Sequence, residues 1–352
     1  MSKWKKALWA LLALFFIIIL WNHELVIYGI RQLRGQLNII SNAVSVDELK
    51  YDEQTDSVTL AKLAYIDEVR RFAVDSLGLD NTDNYTTYYN QNKKPVMWVV
   101  TGSLPYEFKE KTWWFPFINT VSYKGFFDER LALQEAANIE SEGYESDIYS
   151  PEAWSTLGFF TDPVLSNMLN RGHGKLAELI IHELAHATVF LPSEVDLNEN
   201  LATLAGEFGA MRFLQYKYGA QSKEYLRYAN RLKDDQVYYR HMMQGYARLD
   251  SLYSSFKPND EVAYKAGKKY ALIAEILLEI NKLPLNDLKR YRYDFEKGKL
   301  PGNPDFIAFS RYRGGLEKLD SVLIFRYQQN IGKMLREIQS KGKNAAELNH
   351  PK

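Results

Sequence analysis

Apolar residues recur at helical intervals through most of this chain. Val26, Ile30, Leu33, Leu37 and Ile40 are spaced by three and four across 24–42, and Leu60, Leu63, Ile66, Val69 and Phe72 repeat the pattern across 57–78. Spacing near 3.6 puts such residues on one side of an α-helix, so both segments are predicted as amphipathic helices. A polar linker around 52–56 separates them. Ahead of both lies an unbroken apolar run, Ala7–Trp21, preceded by Lys3, Lys5 and Lys6. A basic stretch followed by an apolar one reads as an export signal. The run is shorter than the ~20 residues of a full span. Trp4 extends it, and the lysine stems can reach back to the headgroups. No small-x-small cleavage site follows in Trp21-Asn22-His23-Glu24. Residues 1–24 are therefore expected to form an uncleaved signal anchor, a single transmembrane helix with its lysines cytoplasmic and the rest of the chain outside the inner membrane.

The periodicity changes at 95–127. Val96-Met97-Trp98-Val99-Val100 is β-branched and aromatic and reads as a buried strand; Trp113–Val121 and Tyr123–Phe127 predict one or two more, punctuated by Gly102, Pro105, Pro116 and Gly125. A helix from about Asp128 to Glu142 follows. From 163 onward the pattern predicts helices at 163–170, 174–191, 198–218, 222–254, 260–282, 285–297 and 316–341, with Pro192, Pro258, Pro284, Pro301 and Pro304 as interruptions. The expected fold class is mainly α with a small β element (α+β): one domain over 25–341 and a loose tail over 342–352.

Composition narrows the chemistry. Lys plus Arg equals Asp plus Glu at 44 each, so there is no electrostatic reason to expect a nucleic-acid partner. There is no cysteine, which excludes disulfides, thiolate metal sites and a cysteine nucleophile.

The chemistry-bearing motif is His182-Glu183-Leu184-Ala185-His186, set among Leu176, Leu179, Ile180 and Val189. Positions i and i+4 of a helix share a face, about 6 Å apart at Cβ. Two imidazoles so placed can hold one tetrahedral Zn²⁺, and Glu183 beside the first can take the proton of an activated water. Two ionisable rings and a carboxylate on an apolar helix cost several kcal/mol unless something pairs with them, and a metal supplies the pairing. A third ligand must come from His, Asp or Glu. Glu199 and Glu207 are both candidates, the first preferred over the second on the resemblance described below; they stand about two helical turns apart, so both could face the metal, one of them orienting a histidine. His173, His241 and Lys124 are read as more ordinary loop, core and surface residues.

These residues resemble known proteins. Asn198-Glu199-Asn200-Leu201-Ala202 resembles the NExxA of gluzincin peptidases, in which the glutamate is the third zinc ligand. The chain as a whole resembles the bacterial "predicted aminopeptidase" family, a gluzincin-like group of membrane-linked or exported proteins. The likeness is carried by Gly35-Gln36-Leu37, Val121–Asp128, Ala153–Pro163, Ile181–Ala187 and Asn198–Thr203, and spans roughly 25–320. The resemblance implies a zinc metallopeptidase acting on a peptide substrate, with the HExxH helix packed on a second, ligand-bearing helix. It also implies an oxyanion-stabilising side chain, for which Tyr123, in a family block beside Lys124, and then Tyr312 are the candidates. The chain departs from the family in lacking the lipid-modified cysteine of many members, so anchoring would rest on the apolar helix. It also lacks the GAMEN-type element that holds a substrate amino group in other gluzincin aminopeptidases. Endopeptidase action therefore stays open. So does a non-catalytic, membrane-tethered binding protein with a structural zinc, closed by a fourth ligand from His173 or Glu207.

Overall fold

The computed structural model describes residues 4, 5, 9, 21–116, 119–151, 161–192, 194–296, 298–313 and 315–342, with backbone alone at 312 and 313. It is mainly helical with small sheets, as the hydrophobic pattern predicts. Helix α1 (His23–Ser41) leads through β1 (Val44–Ser45) and the single turn α2 (Val46–Leu49) to α3 (Ser57–Asp75). Asp56 starts α3 by accepting hydrogen bonds from the Val58 and Thr59 amides at 3.0 and 2.9 Å, which satisfies two otherwise unpaired N–H groups. Strands β2 (Thr87–Tyr89), β3 (Trp98–Ser103), β4 (Trp113–Phe115), β5 (Asn119–Val121) and β6 (Tyr123–Phe126) precede α4 (Glu129–Ser141), β7 (Glu145–Tyr149) and β8 (Val164–Leu165). The rest is helical: α5 (His173–Thr188), α6 (Val195–Tyr218), α7 (Lys223–Ser255), α8 (Val262–Glu279), α9 (Leu288–Tyr291), α10 (Asn303–Arg313), α11 (Leu316–Phe325) and α12 (Ile331–Lys341).

Strand β3 is the centre of an antiparallel sheet, order β6-β3-β7, in which Val100 pairs with Lys124 on one side and Ile148 on the other. Val99 and Val100 are buried, as their β-branched run predicts. Helix α4 covers this sheet with Ala132, Ala136 and Ile139. A second small sheet, β1-β2-β8, and the β4–β5 hairpin complete the β structure. The largest core lies under α3, α5 and α6; Ile180, Ile181, Leu184, Leu201, Ala205 and Phe213 are buried there. A second core, with Leu249, Ile273, Ile276 and Phe306, joins α7, α8 and α10.

Several elements differ from expectation, each for a local reason. The predicted helix at 163–170 is a short strand followed by a 3₁₀ turn, Ser166–Asn170. Of the described residues in 285–297 only Leu288–Tyr291 is α-helical. The stretch 316–341 breaks in two where Gln328 and Gln329 adopt φ of 50° and 65°, a left-handed bend no helix can carry. Pro304 reads as an interruption but sits in the first turn of α10, where its missing N–H costs nothing. Strand β7 escapes the pattern because Glu145-Ser146-Asp147 is polar.

The expected anchor at 1–24 lies mostly outside the described residues. Among the described residues no helix is long and apolar enough to cross a membrane. Helix α1 docks on β6 through the Tyr28 hydroxyl and the Gln32 amide, both donating to the Gly125 carbonyl at 3.0 and 2.8 Å.

Candidate metal centre

His182 and His186 stand one turn apart on α5, their rings edge to face with centroids 4.8 Å apart. Glu199 enters from the second turn of α6. The His182 Nε2 and His186 Nε2 atoms are 3.1 Å apart; the two carboxylate oxygens of Glu199 lie 3.6 Å from His182 Nε2 and 3.7 Å from His186 Nε2. The ligand-bearing atoms of all three residues lie within 4.8 Å of one another, so together they could hold a metal ion. Two ligands of a tetrahedral ion with bonds near 2.0–2.1 Å are separated by about 3.3 Å. The observed spacings bracket that value, and two nitrogens with one carboxylate form a donor set suited to a divalent transition metal.

Why these side chains meet is written in their neighbours. Asn198 closes the connection between the helices: its Oδ1 accepts from the Leu191 amide at 2.9 Å and its Nδ2 donates to the Leu191 carbonyl at 2.8 Å. This two-way clasp makes the tight turn that the short interval between His186 and Glu199 demands. Asn200 ties the same turn to α10, donating to the Asp196 and Arg311 carbonyls at 2.6 and 3.0 Å and accepting from the Gly315 amide. Farther along, α6 meets α5 at Gly206, where a Cβ would fall 2.8 Å from the Glu178 carbonyl oxygen and 3.2 Å from His182 Cβ. No side chain fits. Gly206→Val must push α6 away from α5, at a cost of about 1–3 kcal/mol from overpacking. It is expected to lower the melting midpoint and weaken metal binding together. A midpoint lowered with affinity intact would sever the helix spacing from the ligand geometry.

The electrostatics are those of a buried, charge-dense pocket. Burial pushes His186 down to about 4, aided by the charge of His182 and opposed by Glu199, so its ring is neutral and free to ligate at neutral pH. Burial also lowers His182, but the Glu199 hydrogen bond and the charges of Glu183, Glu199 and Glu178 outweigh it and hold the ring above its usual value. Glu199 is raised by burial, yet the two histidines and Arg311 bring it below the ordinary carboxylate range. Glu183, whose charge acts on His182, is pushed up to about 7 by burial, with Glu199 and Asp162 adding to the rise and His182 opposing it.

The other candidates fall as follows. Tyr123 opens β6 and is exposed as a residue; burial of its hydroxyl and the Glu199 charge raise it, while Arg311 lowers it, so the hydroxyl lies within electrostatic range of the candidate centre. Tyr312 lies in α10, and its side chain is outside the described residues. Glu207 is two turns beyond Glu199 and is absent from the cluster of potential ligands among the described residues. His173 stacks on Tyr65 at the opposite end of α5. His241 is buried and bonds the Ile276 carbonyl through Nε2 at 2.7 Å. Lys124 pairs with Glu135 at 2.9 Å rather than facing a cleft. The block at 153–163 is described only from Thr161 onward.

Sequence reasoning missed Arg311 and Tyr149. Both line a cavity of about 560 Å³ walled by Tyr238, Tyr239, Ile307 and Phe309. Arg311 donates to Glu110 and to the Ser122 hydroxyl at 2.5 and 2.8 Å and lies 3.4 Å from Asp196, one turn before Glu199. Burial raises Tyr149, Arg311 opposes it, and Tyr123, Asp147 and then Glu199 add to the rise. No local spacing foretells contacts between residues more than a hundred positions apart.

The fold and site therefore define a mainly helical α+β protein with a mononuclear candidate metal centre of two histidines and one glutamate. The chain belongs to the family described as "Putative aminopeptidase", whose model matches residues 27–348, and membership implies peptidase activity. No curated protein and no solved structure matches it.

Proposed function

We propose that the chain is a zinc-dependent peptidase, anchored by its N-terminal helix outside the bacterial inner membrane, that hydrolyses peptide bonds as an aminopeptidase. The mutual spacing of the His182, His186 and Glu199 ligand atoms carries the reading. The three protein ligands found among the described residues would leave a tetrahedral ion one open position, as catalytic zinc sites do, whereas structural sites are usually closed by four. That favours hydrolysis over a structural zinc. Zn²⁺ held there would lower the pKa of a bound water to about 7 and polarise the scissile carbonyl. The chain's own residues do the rest. Glu183, beside the first ligand, accepts the proton of the attacking water and passes it to the leaving amine. Tyr123, whose hydroxyl feels both Glu199 and Arg311, is the donor for the developing oxyanion, with Tyr312 as the second candidate. The cavity lined by Arg311 and Tyr149 receives the peptide.

The test is elemental analysis of the purified full chain, paired with digestion of a peptide library before and after chelation. One zinc per chain and chelator-sensitive release of N-terminal residues are expected; internal cleavage would make it an endopeptidase. Stoichiometric zinc without any cleavage would leave only the structural role. Affinity should also rise with pH through neutrality, because the proton that Glu199 holds on His182 must leave before the ring can ligate. Competition titrations at pH 6 and pH 8 measure this, and an affinity independent of pH would show that His182 carries no proton to displace.

A further inference from the structure

The end of α5 remote from the imidazoles opens onto a separate cavity of about 550 Å³. Its walls carry Lys62, Lys175, Lys223, Arg227, Arg231 and Arg290. Against these six cations stand three carboxylates, Glu224, Asp234 and Asp287. The Asp234 oxygens are already taken by the Asn286 amide, the Asn286 side chain and the Asp287 amide at 2.8, 2.8 and 2.9 Å. Asp287 lies 3.9 Å from Arg290. Lys175 pairs with Glu178, and Arg231 lies 3.6 Å from Asp235. Lys223 and Arg227, one turn apart and exposed on α7, have no ion-pair partner among the described residues.

The backbone adds to the same field. The first turn of α5, from Gly172 to Lys175, forms part of the wall; it has no side-chain cap and no acidic residue. The N-terminal turn of α7 opens onto the cavity as well, through Lys223 and Glu224, its pole partly offset by Glu224 and by the Ser222 hydroxyl that accepts from the Tyr225 amide. Each helix N-terminus carries roughly half a positive charge. Two groups of the wall are held below their ordinary values: Lys62 by burial, and His173 by burial and then by the charges of Lys62 and Lys217, against Glu224. Cations gathered around two positive helix poles repel one another, and an incoming anion relieves that repulsion.

We propose that this cavity binds a phosphoryl group, with Lys223 and Arg227 as its principal charged contacts and the first-turn amides of α5 as neutral donors. A tetrahedral oxyanion matches both an arginine fork and converging backbone N–H groups. The site is independent of the metal centre, which lies at the other end of α5.

Two arms of one experiment separate the sources of such a group. Inorganic phosphate is titrated calorimetrically into the metal-loaded full chain, and the same chain is floated with phosphatidylglycerol or phosphatidylcholine vesicles. A soluble ligand gives saturable phosphate binding; a lipid headgroup gives a preference for phosphatidylglycerol. In either case K223E and R227E together should weaken binding by about 10-fold or more. Without phosphate the same double variant should melt no lower than wild type, since it removes repelling cations. The proposal is overturned if neither phosphate at about 10 mM nor the anionic vesicle binds, or if the double variant binds as wild type does.

Discussion

Glu183→Gln is expected to retain one metal per chain and to lose peptide hydrolysis by about a thousand-fold in kcat, the scale of a positioned general base. The substitution keeps the shape of the side chain and removes only its ability to accept a proton. The ligands are untouched: His182, His186 and Glu199 keep their mutual spacing, so metal content separates loss of chemistry from loss of the centre. The pH profile gives a second handle. Burial, then Glu199 and Asp162, push the Glu183 carboxyl up to about 7 against the opposing charge of His182. A base must be ionised, so activity falls as pH drops through this group's value. A divalent cation alongside favours the ionised form. The acid limb of the loaded protein is therefore expected below 7, and the residual activity of Glu183→Gln is expected to lack that limb. A variant within tenfold of wild type, with the same pH profile, would remove Glu183 from the mechanism.

How much of this was legible beforehand follows from the range of each interaction. His182 and His186 meet through one helical turn, a local relation that the five-residue motif states outright. Glu199 meets them through a tight connection that Asn198 clasps, and the NExxA resemblance pointed to the turn of α6 that packing brings beside the two histidines, although the helix begins three residues earlier than expected. Arg311, by contrast, reaches Ser122 and Glu110 across about two hundred residues. Only the packing of α10 against α6 and β3 decides that proximity, and no spacing in the chain encodes it. The same holds for the elements that were missed. Pro304 is a breaker inside a helix and a starter at its first turn; which one applies depends on what surrounds Asn303. Strand β7 is polar enough to read as loop, yet Glu145 turns out to hold one of the most deeply buried cations in the molecule.

That pairing supports the largest expected effect on stability. Lys269, on α8, is fully buried, and its Nζ donates to Glu145 Oε1 at 2.5 Å and to the Pro105 carbonyl at 2.8 Å. Burial lowers its pKa, and the Glu145 charge and hydrogen bond oppose that shift. The second carboxylate oxygen accepts from the Asn303 amide at 3.1 Å, while the Asn303 side chain donates to the Leu104 carbonyl at 2.8 Å and accepts from the Tyr253 hydroxyl at 2.7 Å. One carboxylate thus joins β7, α8 and the start of α10. Glu145→Ala strands the ammonium without a counter-charge, at a cost of about 3–5 kcal/mol, and should lower the melting midpoint by roughly 4–7 °C. Lys269→Met should cost less, because the partly exposed Glu145 can turn toward water and still hold the Asn303 amide. Glu145→Leu combined with Lys269→Met should recover much of the loss, since a well-packed apolar pair often replaces a buried ion pair without penalty. Because α10 carries Arg311 to the cleft, Glu145→Ala should also lower hydrolysis below its own melting midpoint, and Lys269→Met with Glu145→Leu should restore it only as far as α10 returns to its place. Thermal melts of the three variants decide the matter: a Glu145→Ala midpoint within about 1 °C of wild type would mean that the Lys269 charge is stabilised by water or by Pro105 alone.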